Sequence, residues 1–169
     1  MSETQKPRLR LASDAELPEH LRSRNDLVTR VFGHNAVLYE KWMDWYRPLV
    51  RDGSVTSRLK EILRLRVAQL NTCDFWQAAR LPLSGEGNTL EEETVAKIDN
   101  WGEHDFSDAE KTALHYAERL FIDHANIDSE LFDELLLHFN EEQIVEIAWA
   151  VVSYLGFGRL IHSFGLKPN

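Results

Sequence analysis

The stretch SRLKEILRLRVAQLNTCDFWQAAR, residues 57–80, constrains the fold more than any other part of the chain. Leu59, Ile62, Leu63, Val67 and Leu70 recur at helical spacing, and Leu65 and Ala68 add a second apolar flank. A helix apolar on more than one side belongs in the middle of a fold. Asn71-Thr72 is a break signal, because both side chains compete for backbone hydrogen bonds. A second helix then starts near Cys73, the only cysteine, and carries Trp76, Gln77 and Arg80. A thiol at a helix N-terminus feels the positive end of the dipole, which lowers its pKa. On one straight helix Glu61 and Cys73 would stand roughly 18 Å apart. They can share a pocket only if the chain reverses at Asn71-Thr72 and the second helix packs back antiparallel on the first. Residues 73, 76, 77 and 80 then fall on one helix face.

The rest of the chain also reads as helices. Residues 1–13 are polar and are expected to form a flexible arm, with a single domain over 14–169. Pro18 interrupts a short helix over 14–23, and Gly33 closes another short turn over 27–32. Asn35 caps a helix to Arg51 that Pro48 bends or ends, and Asp52-Gly53 stops it. LPLSGEG, residues 81–87, is a loop. Thr89–Glu92 and Ser107–Glu110 are capping boxes, opening helices toward Trp101 and His124. Asp128 and Asn140 read as further N-caps, the last helix running past Tyr154 toward Phe164. No period-2 alternation of useful length occurs. The fold class is all-α.

The central stretch resembles the core motif of the carboxymuconolactone decarboxylase and alkylhydroperoxidase D superfamily. The redox members carry a Glu, a helix, then C-x-x-C-x-x-x-H. Glu61 and Cys73 stand at matching positions, but the second Cys is Trp76 and the His is Arg80. Phe75 stands just before the second Cys position. FSDAEKTALHYAERL and FNEEQIVEIAWAVVSYLGFGRL are similar to the family's later helices, so the resemblance covers the chain from about Arg24 on. It implies a single-domain helical bundle of the alkylhydroperoxidase D-like type that assembles as a homo-oligomer. It speaks against dithiol peroxidase chemistry, since a sulfenic acid formed on Cys73 would find no resolving thiol in the chain.

Composition narrows the partners. With 169 residues the chain can bury a real core. A net charge of −9 argues against nucleic acid and against anionic membrane surfaces. No N-terminal apolar signal segment is visible, and Ile144–Ile161 is broken by Glu146, Gly156, Gly158 and Arg159. A core helix and a cytoplasmic location are the expectation. The scattered His residues form no H-E-x-x-H, and G-F-G at 156–158 lacks the dinucleotide fingerprint, so neither metal nor cofactor is implied.

The candidate site is Glu61 and Cys73 as catalytic groups, with Trp76, Arg80 and Phe75 binding substrate. A partly buried Glu61 can serve as acid or base near neutral pH. In a purely structural role it pairs instead with Arg58, Lys60, Arg64 or Arg66, or across the helix pair with Arg80. Trp76 fills space and excludes water, and Arg80 can hold a carboxylate bidentately. The preferred function is a non-redox enzyme, of decarboxylase or isomerase type, acting on a small organic acid or lactone; the alternatives are a diverged peroxidase-like protein using Cys73 with an external thiol and a non-catalytic oligomeric binding protein. An inward Arg80 favours the first, an exposed low-pKa Cys73 the second, a filled pocket the third.

Overall fold

A computed structural model describes residues 6–84 and 88–168. The order is α1 (Leu27–Phe32), α2 (Ala36–Arg51), α3 (Ser57–Leu70), α4 (Asp74–Ala78), α5 (Glu92–Lys97), α6 (Asp108–Ile122), α7 (Ser129–Leu136) and α8 (Glu141–Ser163). Single 3₁₀ turns lie between some of them, and no strand occurs among the described residues.

Helix α3 is the axis. Leu59, Ile62, Leu63, Leu65, Val67 and Ala68 are all buried, against α8, α6, α4 and α2. Its charged residues are buried with them: Lys60, Glu61 and Arg64 are each no more than 2% exposed. Buried charges persist only when paired and hydrogen-bonded, and each cation on α3 has its own partner. Arg58 reaches Glu110 at 2.9 Å, Lys60 reaches Glu146, Arg64 reaches Glu61 at 2.7 Å, and Arg66 reaches Glu118 at 2.6 Å.

Helix α8 lies against α3 and is long and apolar enough by composition to cross a membrane. Here it serves as the second core helix, burying Ile144, Ile147, Ala150, Val151, Tyr154 and Ile161. Gly158 permits its close approach to the end of α3, since a Cβ there would lie 2.6 Å from Asn71 Nδ2. That amide donates to the Leu155 carbonyl at 3.2 Å.

Asn35, Ser107, Asp128 and Asn140 cap their helices as read from the sequence, with capping boxes at Ser107–Glu110 and Asn140–Gln143. Pro48 sits inside the last turn of α2, which continues to Arg51. The Thr89–Glu92 box does not form: α5 starts at Glu92 with Glu91 as its N-cap. The Glu92 carboxylate is held by Arg80 and so cannot turn back to the helix start. The expected 1–13 arm lies outside the described residues up to position 5. From Lys6 on it is docked: Arg8 N–H donates to Phe164 O at 2.8 Å, and Ala12 is 3% exposed. Within the 81–87 loop, positions 85–87 lie outside the described residues.

Candidate functional site

The chain reverses where the sequence places the break. Thr72 takes a φ of 49°, the left-handed region that a β-branched residue adopts only when its surroundings force it. The register of the return is fixed by hydrogen bonds. Cys73 N–H donates to Ala68 O at 3.0 Å, and Gln77 Nε2 donates to the same carbonyl at 3.4 Å. Further along, Arg64 Nη1 donates to Trp76 O at 2.7 Å and Nη2 to Ala79 O at 2.8 Å. Then Leu81 N–H donates to Glu61 Oε1 at 3.1 Å. The second segment thus runs antiparallel along α3.

Glu61 and Arg64 are the clasp of this hairpin. Arg64 Nε and Nη2 each donate to a Glu61 carboxylate oxygen at 2.7 Å. One face of the guanidinium also lies over Trp76, 5.7 Å from the ring centroid. Of the partners the sequence offers Glu61, the one chosen is Arg64, one turn away on the same helix, where the i,i+3 spacing already allows the contact.

Arg80 is not part of this cluster, which corrects the expectation that it faces the pocket or pairs with Glu61. Helix α4 ends at Ala78, and the chain is extended at Ala79. The residue before Pro82 is biased away from helix, and an extended path lets Leu81 N–H reach Glu61. Arg80 therefore leaves the face of residues 73, 76 and 77. It forms a forked pair with Glu92, at 2.7 and 2.9 Å. That pair raises its pKa.

Cys73 is also elsewhere. It is 2% exposed and packs with Val31, Phe157, Ile161 and Leu166. Burial pushes its thiol pKa up, and the opposing amides of Trp76 and Phe75 at the start of α4 do not overcome desolvation. The expected lowering by the helix end is therefore reversed: α4 has only five residues, so its dipole is weak, and the thiol is buried. Cys73 borders a shallow cavity of about 130 Å³ with Arg8, Asp74 and His162. Phe75 packs edge-on to Trp76, with ring centroids 5.2 Å apart, and faces a separate groove beside Leu27 and Lys167.

What the fold does gather is a different set. Tyr46 of α2, Arg64 and Ala68 of α3, Trp76 of α4, and Tyr154, Phe157 and Gly158 of α8 enclose a cavity of about 10 Å³. Trp76 alone of the five sequence candidates lines it. Burial raises the pKa of both Tyr46 and Tyr154, so each is a neutral phenol. The Tyr154 hydroxyl is buried and has no hydrogen-bond partner. The sequence places Tyr154 within the last helix without assigning it to a site. The available signal is Tyr154 itself, a hydroxyl-bearing ring inside an otherwise apolar helical run. Among the described residues, no three His, Cys, Asp or Glu side chains come together as metal ligands.

No protein-family model matches the chain. It is 26% identical over 118 residues to the uncharacterized protein YdfG of Bacillus subtilis (strain 168), a span of 68% of this chain and 79% of YdfG. Its structure is similar to an uncharacterized peroxidase-related protein with an alkylhydroperoxidase AhpD core from Ralstonia eutropha JMP134. That likeness has a TM-score of 0.72 at 18% identity, over 96% of this chain and 92% of the other. It is also similar to the debrominase Bmp8, with a TM-score of 0.65 at 19% identity over 82% of this chain and 74% of that one. A cysteine-to-alanine variant of Bmp8 has been seen in complex with 2,3,4-tribromopyrrole. The all-helical fold of this chain is thus the AhpD-like fold.

Proposed function

We propose that this chain uses the AhpD-like scaffold without thiol peroxidase chemistry, as a homo-oligomeric protein that binds a small organic molecule. The observation that carries the reading is the Glu61–Arg64 clasp. Both carboxylate oxygens of Glu61 are held, by the guanidinium and by the Leu81 N–H. Using Glu61 as a base would break charge-assisted hydrogen bonds in a buried site, where they are strongest. The decarboxylase or isomerase reading therefore loses its proton acceptor, and with Arg80 turned outward it loses its carboxylate clamp. Thiol chemistry fares no better, because Cys73 is buried and the chain has no second thiol to resolve it.

Oligomer formation is supported by the outer face of α8. Val145, Trp149, Val152 and Leu160 are exposed there, and Trp45 of α2 meets Trp149 edge-on with ring centroids 5.6 Å apart. A contiguous apolar face of this kind marks an interaction surface. Small-molecule binding is in keeping with the tribromopyrrole complex of the structural neighbour Bmp8.

One observation favours a second reading, the diverged peroxidase: Cys73 borders the cavity that His162 and Arg8 share. A single assay separates the two. The purified protein is given an alkyl hydroperoxide and a dithiol reductant, and reductant consumption is followed. Turnover no faster than a Cys73→Ala variant is the expected result, and Cys73-dependent turnover would overturn the proposal.

A further inference from the structure

Two cavities share Phe157 as a wall. The inner one, about 10 Å³, holds Tyr154, Tyr46 and Arg64. The outer one, about 250 Å³, is a groove between α2 and α8 whose walls include Phe32, Leu38, Trp42 and Leu160. Phe157 lines both. It is 8% exposed and stacks on Trp42 with ring centroids 4.0 Å apart.

The inner cavity offers hydrogen-bond donors that nothing accepts. The buried Tyr154 hydroxyl has no partner. On Arg64, the Nε hydrogen and both Nη2 hydrogens are taken by Glu61 and Ala79, and one Nη1 hydrogen by Trp76, which leaves the second Nη1 hydrogen. An unmet buried donor carries a desolvation penalty that an acceptor would remove. A water needs roughly 10–15 Å³, so the space takes one oxygen-sized group and little more.

Charge decides what kind of oxygen. Glu61 already neutralises Arg64 at the cavity wall. The other buried pair near Tyr154, Lys60 with Glu146, is likewise balanced. A carboxylate placed there would be an unmatched buried charge, which is far costlier than a neutral acceptor.

We propose that the two cavities on either side of Phe157 together bind one small, flat, uncharged organic molecule, its apolar body in the α2–α8 groove and a carbonyl-type oxygen reaching past Phe157 to Tyr154 and Arg64. The inference deepens the small-molecule reading above by naming the ligand class. Phe157 is the ring the oxygen must pass, so it sets the rate of entry.

The test uses acetophenone and benzoate, which have nearly the same shape but differ in charge. Each is titrated into the full chain, and the fluorescence of Trp42 and Trp76 beside the site is followed. Acetophenone saturates, and benzoate binds at least about tenfold more weakly. Tyr154→Phe weakens acetophenone about fivefold, the loss of one hydrogen bond. The same variant melts no lower than the parent, because the hydroxyl has no protein partner to lose. Phe157→Leu speeds association. Equal binding of benzoate, an unchanged affinity in Tyr154→Phe, or no saturable response from the parent and Phe157→Leu alike would each overturn the proposal. Hydroperoxide turnover bears on the thiol reading only, so the two can fail independently.

Discussion

Glu61 and Arg64 face each other one turn apart on the same buried helix, joined by two parallel hydrogen bonds of 2.7 Å, with neither side chain more than 2% exposed. Through Trp76 O, Ala79 O and Leu81 N–H the same pair holds the returning segment against α3. Removing one partner leaves the other charge buried and unmatched. Glu61→Ala should therefore destabilise the fold by about 3–5 kcal/mol. The double variant Glu61→Leu/Arg64→Met should cost clearly less than the sum of Glu61→Leu and Arg64→Met measured singly beside the parent, since it leaves no orphan charge. Denaturant melts of the four proteins close the cycle, and additive effects would refute the pairing.

Acid stability should depend on Glu146. Burial acts to raise its pKa, but the Lys60 ammonium and the amide and hydroxyl of Ser54 outweigh burial and hold it below the ordinary 4.5. A carboxyl depressed in the folded state stabilises the protein above its unfolded pKa. That stabilisation is lost as the pH falls through the folded value. Glu146→Gln should thus be less stable at neutral pH and show a flatter decline below pH 4.5. Stability curves of parent and variant that stay parallel down to acid pH would contradict this.

Gly53 is tied to the same carboxylate. Its φ is 98°, and a Cβ there would stand 2.3 Å from Glu146 Oε1. Gly53→Ala should destabilise the protein by more than about 1 kcal/mol, combining left-handed strain with displacement of Glu146. A thermal melt within error of the parent would show that the turn can relax.

Cys73 should be slow to react. With its pKa raised by burial and 2% of its surface exposed, it should resist a disulfide exchange reagent in native buffer and react at once in denaturant. Rapid stoichiometric labelling of the native protein at neutral pH would mean that the thiol is reachable, and would strengthen the peroxidase-like reading.

The apolar face of α8 gives the assembly prediction. Light scattering should report a multimer, and Trp149→Asp should shift it toward monomer by placing a charge in the middle of the contact. A parent protein that is monomeric at micromolar concentration removes the oligomer proposal.

The sequence by itself determined what is local. Helix caps at Asn35, Ser107, Asp128 and Asn140 stand where their side chains can reach backbone amides three residues on. The two-sided apolar pattern of α3 placed it at the centre, and Asn71-Thr72 marked the reversal. These features follow from neighbouring residues, so they can be read along the chain. Tertiary structure decided which charge meets which. Glu61 has four cations within five residues, and three of them are drawn away by Glu110, Glu146 and Glu118 on α6 and α8. Arg80 was lost to the site because Glu92, the first residue of α5, holds it and because the chain before Pro82 is extended. Tyr46 and Tyr154, more than a hundred positions apart, meet only when α2 and α8 pack. A pocket assembled from helices distant in sequence has no pattern along the chain, because its geometry is set by how whole faces pack rather than by the residues beside each other.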